Sequence, residues 1–374
     1  MKSIGYPRWV LGGVAVMLIL SATAWGQPVD GTTYDPPTPE RRGQAGMSFL
    51  QMGSSARMEA VGGAGATLSG DPAAVFYNVA GMAAINGVAV HFNRTTWIAD
   101  MSVTHFALAA NVGLLTTGIT FMSMDYGEIP GTIIDLDAED SFIATGNVNT
   151  QAWAMGAFIG VPMTDQFSFG VHVKAAVQDF GTNSNWIIIG GTDGFYASSA
   201  SDLRISAIAV DVGSQYNTGL RNIIVAMSLR NYGRPQKFID TEFDLPLTYQ
   251  IGVAADAVEI VTGSQAPGQK LMVYLDGVDQ RDVLLDLAWG LEYIADVSPG
   301  IGTALRVGSR PGYEMNGDGY WLNFGAGLRL SADEGSASPL LSWMSPGSAF
   351  GIDYSYTKIG PGFQTHMWSL SLGL

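Results

Sequence analysis

The chain has 374 residues, of which only 14% are charged and 48 are glycine, with a formal net charge of −15. So apolar a composition (47% hydrophobic) excludes a disordered chain, and 18 Lys and Arg against 33 Asp and Glu exclude a nucleic-acid partner. With no cysteine there is no disulfide scaffold, thiolate metal site or Cys nucleophile.

Residues 1–26 read as a cleaved export signal. Lys2 and Arg8 precede the apolar run 10–20, too short to cross ~30 Å of hydrocarbon as a helix. Ala24 and Gly26 hold the −3 and −1 positions of a cleavage site; a short membrane anchor is the other reading. Residues 27–48 form a Pro- and Gly-rich extended leader.

Residues 49–84 do not alternate. Asp71-Pro72 has the form of an N-cap followed by Pro at the first helical position. This predicts a short helix over 73–77 and a second turn ended by Gly81. An exposed Val75-Phe76-Tyr77 would be sticky, so the segment is expected to fold into a barrel as a plug rather than hang as a periplasmic tail.

From residue 85 to 374 the pattern has period two. In 364–374, His366, Trp368, Leu370 and Leu372 alternate with Thr365, Met367, Ser369 and Ser371. In 350–357, Phe350, Ile352, Tyr354 and Tyr356 alternate with Gly351, Asp353, Ser355 and Thr357. Such alternation is a strand facing two media. Fourteen strands are predicted, at 86–95, 102–111, 114–125, 150–161, 166–180, 203–213, 222–232, 247–258, 270–278, 283–294, 300–310, 319–330, 349–357 and 364–374. Their length suits a tilted membrane strand, the number is even, and a soluble sandwich uses shorter strands. The expected fold is all-β: a 14-stranded antiparallel transmembrane β-barrel with a short N-terminal plug, in the outer membrane. Long connections at 126–149, 181–202 and 233–246 are expected outside and short turns at the periplasm; the long segment 331–348 does not follow that rule.

Lys174, Asp286, Glu292, Arg306, Arg310, Arg329 and Asp353 fall on the inward face, with His172. They suit either a polar gate or a structural lumen network. A hairpin centred near Ile98 would set His91 opposite His105, but two imidazoles with no carboxylate beside them make no metal site. The acidic run 135–140 lacks the Gly and Glu of a calcium loop. No nucleophile elbow, phosphate loop or zinc-protease motif occurs. Neither an enzyme nor a cofactor is expected.

The stretch Ser55-Ala56-Arg57, Val61-Gly62-Gly63-Ala64, Asp71-Pro72-Ala73-Ala74 and Phe76-Tyr77-Asn78-Val79-Ala80-Gly81-Met82 resembles the N-terminal signature of PorV/PorQ-family outer-membrane proteins. The ends Ile352 to Tyr356 and Thr365 to Leu372 agree. These proteins are similar in fold to FadL-type channels, whose plug carries an Asn-Pro-Ala-Gly motif; Val79 stands here where that motif has Pro. The resemblance marks Phe76, Asn78, Ala80, Gly81 and Met82 as plug-motif residues.

Two functions follow as expectations. A PorV-like component of type IX secretion would receive secreted cargo beside a translocon subunit, through exposed loop residues such as Trp186, Ile187 and Phe238. A FadL-like channel would carry a hydrophobic ligand through an apolar pocket reaching Phe76 and Met82. Membrane lipid surrounds the barrel in both.

Overall fold

The computed structural model describes residues 45–134, 142–148, 150–180, 187–188, 196–197, 204–238, 241–281, 285–310, 322–332, 347–360 and 363–374. Fourteen strands close into one antiparallel barrel: β1 (Val88–Thr96), β2 (Ser102–Asn111), β3 (Thr116–Asp125), β4 (Gln151–Pro162), β5 (Phe167–Asp179), β6 (Arg204–Asn217), β7 (Ile224–Tyr232), β8 (Thr248–Asp256), β9 (Gln269–Gln280), β10 (Asp286–Ser298), β11 (Ile301–Ser309), β12 (Asn323–Ser331), β13 (Ala349–Gly360) and β14 (Phe363–Gly373). Each pairs with its sequence neighbours. The seam closes where β1 meets β14, from Ala89 opposite Gly373 to Thr96 opposite His366.

The alternation in the sequence is the alternation in space. Ile119, Met155, Ile208, Leu305 and Trp368 point outward and are exposed, while Thr120, Ala154, Ala207, Arg306 and Ser369 are buried. An apolar exterior around a closed sheet has no solvent but lipid, and closure leaves no strand edge unsatisfied there. Every predicted strand has its counterpart, with ends displaced by a few residues; β6 runs on to Asn217 and β10 to Ser298.

Two registers depart from the simple pattern. In the first hairpin Asn93, not His91, lies opposite His105, and His91 lies opposite Ala107. The turn carries Ala99 and Asp100 at positive φ, which moves its centre by one residue and hence each partner by two. Between Val210 and Val212 the β6–β7 register shifts. Asn231 there takes φ 60° and its backbone N–H donates to Asp211 Oδ1 at 2.7 Å.

Residues 45–87 run through the lumen. Ala45 forms a parallel bridge with Asp244 in the connection between β7 and β8, at the long-loop end. The far end joins β1 at the short-turn end, where Val88 and Leu374 exchange backbone hydrogen bonds. Between lie a 3-10 turn at Ser48–Gln51, a short helix α1 (Ala56–Ala60) and two further 3-10 turns, Pro72–Phe76 and Val79–Ala84. Asp71 caps the turn at Pro72 through Ala73 N–H at 2.9 Å, as its type and position predict. The turn Val79–Ala84 does not end at Gly81 but passes through it. A side chain there would strike the Leu68 carbonyl, so this glycine permits a close approach rather than a stop.

The plug meets the wall along backbone. A Cβ on Gly308 of β11 would fall on Val61 and Gly62 of the plug. Gly62 itself has φ +75° and faces the backbone of Ser309. On the opposite wall Gly160, Gly170 and Gly213 back onto residues 78–83 in the same way. Glycine on the inward face is therefore a mould for the plug. An apolar core of Val61, Leu68, Val75, Val79, Met82, Phe158 and Tyr274 fills the space between. A second apolar cluster, of Met47, Phe49, Leu50, Met122, Met124 and Leu245, packs against the start of the plug.

Candidate functional site: a plugged lumen

A coiled segment of some forty residues cannot satisfy its own backbone, and buried N–H and C=O groups need partners. The inward polar side chains supply them. Ser369 Oγ accepts from Ala56 N–H at 2.8 Å, and Asn323 Nδ2 donates to the Glu59 carbonyl at 2.8 Å. Gln215 Nε2 donates to the carbonyls of Ala66 (3.1 Å) and Leu68 (2.8 Å). Asp276 accepts from Ala66 N–H at 2.9 Å and from Gln250 Nε2 at 2.7 Å. His91 Nε2 lies 2.7 Å from the Ser54 carbonyl. The two histidines of the first hairpin are thus plug contacts rather than a metal pair; both are buried, with Phe76 packed against their rings at 6.4 and 5.2 Å.

One ionic cluster crosses from plug to wall. Arg57 of α1 grips Glu292 of β10 with both arms, Nε to Oε1 at 2.9 Å and Nη2 to Oε2 at 2.8 Å. Its Nη1 reaches Asp71 at 3.3 Å. Arg306 donates to Glu292 Oε1 at 2.7 Å and to Asp353 Oδ1 at 2.7 Å. Tyr274 adds its hydroxyl to Glu292 Oε2 at 2.7 Å. Every oxygen of the fully buried Glu292 therefore faces a donor, which is what a buried carboxylate requires.

The predicted lumen set separates into parts. Glu292, Arg306 and Asp353 join the Arg57 cluster. Arg310 pairs with Asp286 at 3.1 Å. Lys174 belongs across the lumen, 2.8 Å from Asp211 and 2.6 Å from Asn231 Oδ1, beside His172. Arg329 lies on the same strand face but is exposed near the short-turn end.

The sequence reading assigned no lumen role to Arg57, Asp71, Asp211, Asp276 or Arg230. Strand parity marks Asp211, Asp276 and Arg230 as inward; no periodicity in the plug gives Arg57 a direction. Arg230 donates to the Phe76 carbonyl at 2.7 Å and to Gln250 Oε1 at 3.2 Å, and lies over the Tyr77 ring.

Of the plug-motif residues, Asn78 does the most. Its Oδ1 accepts from Ala80 N–H at 3.1 Å, while its Nδ2 donates to the carbonyls of Ala66 (2.8 Å) and Ser214 (3.1 Å). One side chain caps a turn and ties it to β6. Ala80, Gly81 and Met82 are buried against the wall. Of the loop residues, Trp186 and the run 135–140 lie outside the described residues. Ile187 pairs with Ala197 in a short hairpin. Phe238 is half-buried, 5.1 Å from the Phe180 ring, so it packs on the second apolar cluster instead of standing free.

Two cavities meet at this plug. The outer one, ≈ 110 Å³, is a vestibule between the plug and the long-loop end, lined by Gln51, Tyr77, Trp97, Arg230, Gln250 and Asn323 among others. The inner one, ≈ 20 Å³, is a crevice lined by the apolar Leu50, Met52, Phe76, Met122 and Ala154 and by His105, Thr120, Lys174 and Arg230. Met52 and Arg230 line both.

Glu59 also faces the vestibule. Burial pushes its carboxyl above the usual 4.5, against the opposing pull of Arg310 and of the Tyr77 hydroxyl. A carboxylate raised in the seated plug is penalised at neutral pH, and that penalty is relieved as pH falls through the raised value. Glu59→Gln is therefore expected to seat the plug more firmly at pH 7 and to flatten this part of the pH dependence. The rate of plug proteolysis in folded protein, followed from pH 7 to 5, reads both effects; an unchanged slope refutes the assignment.

The closed sheet, apolar exterior and filled lumen define a plugged outer-membrane β-barrel. No family model matches the chain, and no curated protein matches it in sequence. Solved structures match the fold. A FadL homologue of Pseudomonas aeruginosa superposes with a TM-score of 0.50 at 11% identity, over 85% of this chain and 97% of that one. The toluene transporter TbuX of Ralstonia pickettii gives 0.51 at 10% identity, over 86% and 97%. The toluene transporter TodX of Pseudomonas putida gives 0.51 at 11% identity, over 86% and 96%. The barrel is FadL-like in architecture.

Proposed function

We propose that this protein passes small hydrophobic compounds through the outer membrane in the manner of a FadL-like transporter, with the plug as its gate. The observation that carries this reading is the crevice between Met52 and Phe76, whose lining shares Met52 and Arg230 with the vestibule. It reaches Phe76 but not Met82, which is fully buried against the wall. The fold of the two toluene transporters supports the same reading.

At ≈ 20 Å³ the crevice is far below the ~300 Å³ of a working ligand pocket. On this reading the channel is closed in this conformation, and the segment bearing Leu50 and Met52 is the part that must yield. Trimming a side chain there should replace some of that movement. Met52→Ala is expected to raise retention of toluene or palmitate by the purified protein several-fold, read by native mass spectrometry.

The type IX role rests on the PorV/PorQ resemblance. The residues that carry it at the plug, Arg57, Asp71 and Asn78, are here the ones that seat the plug, so they support the plugged barrel more than cargo binding. Purification from native membrane in mild detergent, with mass spectrometry of proteins and lipids, separates the two. A stoichiometric hydrophobe without a protein partner supports transport. Secreted proteins or a large translocon subunit, without a hydrophobe, would overturn it.

A further inference from the structure

The short turns at the plug's exit end are apolar. Leu114 in the β2–β3 turn is 87% exposed, Met163 in the β4–β5 turn 61%, Leu220 in the β6–β7 turn 69%, and Val261 in the helix α2 (Ala257–Thr262) between β8 and β9 68%. These four connections are successive around the barrel, roughly 10 Å apart. They form one arc over eight strands.

The arc is also poor in free charge. Residues 112–115 carry none, and 163–166 carry only Asp165. Arg221 and Glu259 are engaged with each other's turns: Arg221 donates to the Ile260 carbonyl at 2.8 Å, and Asn222 donates to Glu259. In a chain with a net charge of −15, a rim this bare is a local departure.

The lipid-facing belt supplies the measure. A strand tilted by ~40° gains about 2.5 Å of height per residue, and the apolar belt of an outer-membrane barrel is ~25 Å tall. On β3 the outward residues are Thr117, Ile119 and Phe121, followed by Ser123 and the exposed Asp125; the apolar part spans only ~10 Å. On β9 it runs from Val273 to Gly277 before the exposed Asp279, again ~10 Å. On β6 it runs from Ile208 to Tyr216 below the exposed Arg204 and Ser206, ~20 Å. On this side β3 and β9 fall well short of the belt, while β4 (Trp153 to Val161), β5 (Phe167 to Ala175) and β6 each reach ~20 Å of it. The turn residues continue it.

We infer that this arc of turns is immersed in the periplasmic leaflet of the outer membrane, with Leu114, Met163, Leu220 and Val261 as the lower part of the lipid-facing belt. The occupant is lipid, because the arc is continuous with a surface that already faces lipid and, beside β3 and β9, adds the height that surface lacks. The barrel then sits low on this side, and the plug's exit lies at headgroup level.

The chain has no cysteine, so each introduced thiol is unique. Leu114→Cys, Leu220→Cys and Val261→Cys, with Glu128→Cys in the outer connection as reference, are labelled with bimane in phospholipid vesicles. Heat-modifiable gel migration confirms that each barrel is folded. At the three turn positions a nitroxide on the lipid chain is expected to quench at least twofold more than at residue 128, and aqueous iodide severalfold less. Iodide quenching equal to that at residue 128 would overturn the inference in favour of a water-exposed rim. Protection from both quenchers would overturn it in favour of contact with a second copy.

Discussion

Glu292→Gln is expected to unseat the plug while leaving the barrel intact. Glu292 is the common acceptor of Arg57 from the plug and Arg306 from the wall. Neutralising it leaves two guanidinium groups close together with no charge between them. Removing one partner of a buried pair costs about 3–5 kcal/mol, roughly a hundred- to several-thousandfold in the population of the seated state. In planar bilayers the variant should conduct where the parent is closed, and plug residues should become open to protease. Arg57→Gln should do the same, and the double variant should cost far less than the sum, because the pair acts as a unit. Additive costs, or conductance equal to the parent's, would show that Glu292 serves only the wall.

The second large effect is expected from Gly62→Ala. Two penalties fall on one atom. At φ +75° a Cβ is strained by about 1–2 kcal/mol. The same Cβ would lie on the backbone of Ser309 in β11, which cannot rotate away as a side chain would; overpacking of this kind adds about 1–3 kcal/mol. Gly63→Ala is the internal control. Gly63 has φ +78°, yet its added Cβ would touch only Glu59 Oε1 at 3.9 Å. It carries the strain without the collision. The position 62 variant should therefore loosen the plug markedly more than the position 63 variant, measured by proteolysis or by conductance. Equal effects would mean that the wall yields at β11.

The barrel was legible because its two surroundings differ. Lipid outside and a polar, glycine-lined interior force every strand to alternate, so period two locates all fourteen strands. What alternation cannot locate is register across an irregular turn. The His91 and His105 pairing failed on Ala99 and Asp100, which adopt a left-handed conformation that their residue types do not announce. The plug was legible at its caps, where Asp71 and Asn78 have the chemistry to receive a backbone N–H. It was not legible at Gly81, where the requirement is set by the Leu68 carbonyl thirteen residues away. The ionic cluster was half legible. Glu292, Arg306 and Asp353 stand out as charges on an inward face, but Arg57 sits in a segment without period, and only the fold shows that it reaches them.

The hydrogen bond from Ala56 N–H to Ser369 Oγ joins residues 313 positions apart. Asn323 and Arg57 make similarly distant links, to Glu59 and Glu292 respectively. Such contacts form only after the intervening chain has been ordered, because its closure entropy must be met first. The earliest described residues of the chain must therefore wait for the latest. Until β10 to β14 are in place, α1 lacks the partners of Arg57, of the Ala56 N–H and of the Glu59 carbonyl. The joining of β1 to β14 and the locking of the plug beneath that seam thus belong to one final act of assembly. A chain truncated before β14 would lose a strand and, with it, the order of a segment at its opposite end.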